Sequence, residues 1–131
     1  MVCFGAEMIG LIMRGYLELV RFDIYIARDD FAALCEKVRR TCVQATPELF
    51  LSCEQICHAA DLACMWYWKR VLCLHRSAVL TRLLRRQGMN AELVIASRRL
   101  PFQAHAWVEV EGRVVNEQPD VHEKYVVLER C

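Results

Sequence analysis

The 131-residue chain has no excess of charge of either sign: 17 Lys+Arg stand against 16 Asp+Glu, a formal net charge of +1. That balance removes any global electrostatic drive toward nucleic acid or an acidic membrane surface. No secretory signal is expected either, because the N-terminal stretch shows neither a basic start nor a small-residue cleavage site after its apolar run. The chain lacks a bilayer-spanning run, which needs about 20 mostly apolar residues. Glu7, Arg14 and Glu18 interrupt the N-terminal candidate, which reads instead as an amphipathic helix docked on the core or on a partner. Internal repeats, low-complexity tracts and linkers are missing as well, so residues 1–131 are expected to form one domain with one core.

What is present is apolar residue and cysteine. Hydrophobic residues make up 56% of the chain, against about half in an ordinary soluble domain. The excess implies a dense core or an apolar surface that a partner covers. The eight cysteines are Cys3, Cys35, Cys42, Cys53, Cys57, Cys64, Cys73 and Cys131. An even count means disulfides only in an oxidising compartment. With no export signal, and with most of these residues in helical patterns, a cytoplasmic protein with reduced thiols is expected.

The pattern divides the chain into a mainly helical part, residues 1–70, and a part with one helix and several strands, residues 71–131. From Ala6 to Ile26, Met8, Leu11, Ile12, Leu19 and Phe22 fall near helical spacing. Asp29 or Asp30 caps a second helix with a basic end, and Thr46-Pro47-Glu48 is a start signal for a third that reaches Trp66. Cys73 to Gln87 reads as a fourth helix stopped by Gly88. The period then changes to strands at Ala91–Ala96 and Ala106–Val110. Glu111-Gly112 turns into a returning strand, Arg113–Asn116, and Tyr125–Leu128 reads as an edge strand or packed arm. The expected class is α+β, with N-terminal helices packed on a small antiparallel sheet.

One constellation carries chemistry. Cys73 opens a helix, where the partial positive charge and free N–H groups favour a thiolate and an oxyanion. His105 begins a strand and shares a face with Trp107 and Glu109, while Ala106, Val108 and Val110 form the aliphatic core face. His105 is thus expected at the mouth of a cleft walled by Trp107. The hairpin return brings Asn116 and Glu117 back toward His105, and Asp120 stands nearby as a second candidate acid. Nucleophile, base and orienting carboxylate are the parts of a thiol acyl-transfer site. Taken singly, each residue has a plainer reading: one buried cysteine among eight, a structural histidine, a surface acid.

In combination, Cys73-Leu74-His75-Arg76-Ser77, Leu83-Leu84-Arg85-Arg86-Gln87-Gly88, and Pro101-Phe102-Gln103-Ala104-His105-Ala106-Trp107-Val108-Glu109-Val110 with Val115-Asn116 resemble a known family. The order of Cys, His and acid is similar to that of transglutaminase-like, papain-related cysteine hydrolases. More narrowly it resembles the lasso-peptide leader peptidases, the protease halves of the split B proteins. The motifs cover roughly the C-terminal half, and the length fits the whole chain. The resemblance implies a transglutaminase-like core and removal of the leader from a ribosomally made precursor peptide. It also implies a separate leader-binding protein and an ATP-dependent lasso cyclase as partners, and no cofactor. It assigns Cys73 as nucleophile and His105 as base. The family usually has Asp where this chain has Glu117, one methylene longer. Rival activities for such a site are transfer of the acyl group to an amine, and non-catalytic binding of a peptide or partner.

Three further clusters have plain readings. Cys53, Cys57, His58, Asp61 and Cys64 share one helix, but no second ligand-bearing segment exists, so core packing rather than metal is expected. Trp66 and Trp68, just ahead of Cys73, are expected to line the substrate cleft rather than stack on nucleic acid. Arg82, Arg85 and Arg86 are expected on the solvated face of the fourth helix.

Overall fold

The computed structural model describes residues 2–44, 51–99 and 102–131. The long first helix, α1 (Val2–Ala27), buries Leu11, Leu19 and Phe22 along one side, at the spacing the sequence predicts. Asp29, with φ of 53°, turns the chain, and Asp30 caps α2 (Phe31–Arg40) by accepting the Ala33 N–H at 3.1 Å. The start signal at Thr46-Pro47-Glu48 lies outside the described residues. Helix α3 (Cys53–Trp66) opens at Ser52, whose hydroxyl accepts the Gln55 N–H while the Gln55 side chain accepts the Ser52 N–H. This reciprocal box satisfies two orphan donors and is a start signal the sequence reading passed over.

Helix α4 (Cys73–Arg86) stops where expected. Gly88 adopts φ of 82°, its N–H bonds the Arg85 carbonyl, and the Met89 N–H reaches back to Leu84. That paired closure needs a left-handed residue, which glycine supplies without a Cβ penalty. Among the described residues, four strands form one antiparallel sheet: β1 (Ala91–Arg99), β2 (Phe102–Val110), β3 (Arg113–Val114) and β4 (Val126–Arg130), in the order β3-β2-β1-β4. A short helix, α5 (Val121–Lys124), precedes β4. Glu111 and Gly112 both take positive φ, as a two-residue hairpin turn requires. The α+β class is as expected. Helix α4 packs on β1 and β2, with α1, α2 and α3 against its other sides. None of the described helices is long and apolar enough to cross a membrane.

Two expectations are corrected. Arg82 and Arg85 are buried, not solvated, because α4 is enclosed on every side. Arg82 pairs with buried Glu18 of α1 and donates to Thr41 Oγ1 at 2.9 Å. Arg85 binds the carbonyls of Val38, Ala91 and Cys131 and so ties three segments together. Arg86 is partly exposed and reaches Glu18 at 3.4 Å. The second correction concerns the face of β2 that carries His105. It is no open cleft wall: Trp107 is 0% exposed and Glu109 is buried. Val121 and Tyr125 fold over Val94, Ala96 and Trp107 to make a second small core. Both faces of β2 are therefore covered.

Candidate active site

Cys73 is the first residue of α4 and is half-buried. The preceding Leu72 is extended, at φ −85° and ψ 166°, and no side chain caps the helix start. The first-turn N–H groups thus stay available to an anion. His105 lies on β2 opposite Ala96 of β1. Its Nε2 is 2.7 Å from Oε2 of Glu117, while Asp120 pairs with Lys124 at 3.5 Å. A carboxylate only accepts, so Nε2 is the protonated nitrogen that donates to Glu117, and whenever the imidazole is neutral Nδ1 holds the lone pair. Cys73, His105 and Glu117 line one cavity of about 140 Å³ together with Val71, Arg76, Ser77, Ala106 and Asn116. Tyr125 covers the imidazole, with ring centroids 5.3 Å apart.

The route of the chain to Glu117 is set by Asn116. Strand β3 ends at Val114, two residues short of the expected limit. The Val115 N–H still bonds Val108 O at 3.0 Å. The reciprocal bond of that pair is made by a side chain, as Asn116 Oδ1 accepts the Val108 N–H at 2.8 Å. The backbone can therefore leave the sheet and carry Glu117 over His105. Asn116 Nδ2 also donates to Ser77 Oγ at 3.2 Å, and Ser77 donates to Ala106 O at 3.2 Å. Arg76 donates to the Asn116 carbonyl at 3.2 Å and pairs with Asp61 at 3.5 Å. Ser77 and Asn116 went unassigned in the sequence reading. The available signals were a serine one helical turn after Cys73 and an asparagine where the strand alternation ends.

Electrostatics sort the titratable groups. Burial alone would raise the Glu117 carboxyl, but the His105 bond, the Gln118 N–H and the charges of His105 and Arg76 outweigh it and hold it below its ordinary value. Burial pushes the Cys57 thiol up to about 12, helped by Cys53 and Asp61, and the Cys64 and Cys131 thiols up to about 11. Such thiols are poor nucleophiles. His75 is buried and bonds the Leu19 carbonyl through Nε2 at 2.6 Å, and burial lowers its pKa. It is a strut between α4 and α1.

The three tryptophans do not line the cavity around Cys73. Trp107 is wholly buried and donates to Glu109 at 2.9 Å, so it offers no surface to a substrate. Trp66 and Trp68 are 78% and 72% exposed, at the end of α3 and in the bend beyond it. Cys35, Cys42, Cys53, Cys57, Cys64, Cys73 and Cys131 are free thiols. Among the described residues, no three or more His, Cys, Asp or Glu side chains converge as metal ligands would.

Comparison with known proteins gives two matches. The sequence model of the transglutaminase-like superfamily matches residues 16–130. The microcin J25-processing protein McjB of Escherichia coli is 43% identical over 56 residues, 43% of this chain and 27% of that protein. The matched stretch thus spans about a quarter of that relative's length. No solved structure matches.

Proposed function

The chain belongs to the transglutaminase-like superfamily, and from that premise we propose that it is a cysteine endopeptidase that removes the leader from a ribosomally made lasso-peptide precursor. The observation that carries the reading is the His105–Glu117 bond within the cavity that also holds Cys73 at a helix start. The match to a microcin-processing protein and the motif resemblance support the choice of substrate.

His105 Nδ1 takes the proton of the Cys73 thiol, and the thiolate attacks the scissile carbonyl. The oxyanion forms at the uncapped start of α4, where N–H groups and the helix dipole stabilise it. The tetrahedral adduct collapses as imidazolium Nδ1 protonates the leaving amine, which leaves a thioester on Cys73. Water, deprotonated by His105, then attacks the thioester. The new carboxylate departs and the thiol is restored. Glu117 holds Nε2–H throughout and stabilises the imidazolium without taking its proton.

A separate leader-binding protein and an ATP-dependent cyclase complete the proposed cytoplasmic pathway. The test is incubation with a candidate lasso-peptide precursor and leader-binding protein, with products read by mass. One cut that separates leader from core, lost in Cys73→Ala while the circular dichroism spectrum stays unchanged, is the expected result. Full cleavage by the alanine variant overturns the cysteine mechanism. Capture of added amines in place of water would make the enzyme an acyl transferase. Binding of the precursor without turnover would make it a peptide-binding module.

A further inference from the structure

The cavity around Cys73, about 140 Å³, has room for a scissile peptide unit and little beyond it. A peptidase of extended chains must place the neighbouring residues elsewhere. A larger cavity of about 380 Å³ opens beside it, between α3 and β3, within the size range of ligand sites. Glu54, His58 and Asp61 line it from α3, and Arg113, Val114 and Val115 from the hairpin. The two cavities adjoin at two points. Arg76 lines the catalytic cavity and pairs with Asp61 of the larger one. Val115 lines the larger cavity, and the next residue, Asn116, lines the catalytic one.

The hairpin side of this cavity is a sheet edge, since among the described residues β3 has a strand neighbour only in β2. In an antiparallel ladder, alternate residues turn both backbone groups to the same side. The Val115 N–H faces β2, so the N–H and carbonyl of Val114 face away from it, toward the edge. Such an edge accepts an extended peptide as an added strand, with main-chain bonds for affinity and a pocket for side-chain selection.

We propose that this α3–β3 cavity is the subsite that receives the substrate chain on one side of the scissile bond, paired in extended form along Val114. The proposal rests on the peptidase reading above. Asp61 is paired with Arg76, and Glu54 is balanced by Arg113 in the lining, so main-chain pairing and the space of the cavity, rather than net charge, set what it receives.

Glu54 and His58 are exposed positions of α3, so tryptophan there fills the cavity without entering the core. With the precursor and leader-binding protein as substrate system, Glu54→Trp and His58→Trp should raise KM about tenfold or more and leave kcat much less affected, the pattern of lost binding rather than lost chemistry. Met65→Trp, on the exposed surface of α3 outside this lining, serves as the control and should keep wild-type constants. Unchanged KM in both tryptophan variants overturns the subsite while cleavage by the wild type upholds the peptidase. Absence of cleavage by the wild type overturns the peptidase reading and the subsite with it.

Discussion

Asn116 fills with its side chain the rung of the β2–β3 ladder that a backbone carbonyl would otherwise make, accepting the Val108 N–H at 2.8 Å. The same amide reaches Ser77, one turn beyond Cys73 on α4. Three elements that carry Cys73, His105 and Glu117 are thus tied at one residue. Asn116→Leu strands the Val108 N–H, at a cost of about 1–3 kcal/mol, and frees the Glu117 segment. The expected result is a lower melting temperature and a fall in kcat with KM nearly unchanged. Asn116→Asp keeps the acceptor and loses the donor, so it should recover part of kcat. Equal losses in both variants, matched by equal losses of stability, would assign Asn116 a structural role alone.

Glu117, rather than Asp120, contacts His105. Glu117→Gln keeps the shape and removes the charge that stabilises imidazolium, so single-turnover cleavage should slow by about 10²–10⁴-fold. Asp120→Asn should stay near wild type. Glu117→Asp keeps the charge but withdraws it by one bond length, and should fall between wild type and the glutamine variant. An inactive Asp120→Asn beside a normal Glu117→Gln would move the orienting role to Asp120.

His75 makes stability depend on pH. Burial lowers its pKa below the ordinary 6.5, despite the Leu19 bond. The unfolded chain therefore binds a proton at 6.5 that the folded protein still refuses. This contribution to stability is complete above pH 6.5 and is lost as pH falls through the lower folded value. His75→Gln removes the titration, so its unfolding free energy should fall less steeply than wild type below pH 6.5 in urea titrations. Its leader cleavage near pH 7.5 should stay close to normal, since His75 lies outside the catalytic cavity. Parallel pH profiles would remove His75 as the source.

Glu18 and Arg82 form a buried ion pair between α1 and α4. Arg82→Met removes the buried partner of a carboxylate that Arg21 and Arg86 still reach at 3.2 and 3.4 Å, so the cost should fall below the ~3–5 kcal/mol of a fully stranded charge. The double variant Glu18→Leu with Arg82→Met replaces both charges with apolar volume and should regain most of that loss. Denaturant unfolding of the two single variants and the double closes the cycle. A double variant as weak as the sum of the singles would mean that the pair is not coupled.

Features that depend on a few neighbouring residues were legible in the sequence alone. The cap at Asp30, one of the two aspartates the sequence offers, the stop at Gly88 and the turn at Glu111-Gly112 each depend on bonds or dihedrals within a few residues, and the stop and the turn stand where the sequence places them. So does Cys73 at its helix start. Only the tertiary structure decided what covers these elements. Trp107 alternates with aliphatic residues as a surface strand would, yet Val121 and Tyr125, far along the chain, bury it. Arg82 and Arg85 have the spacing of a solvated face, yet Glu18, Val38 and Cys131 supply their partners from distant segments. Strand β3 gives way to the Asn116 side chain because Ser77 of α4 is there to receive its amide. Periodicity reports which residues share a face. Whether that face meets water or protein depends on long-range packing, which no local pattern contains.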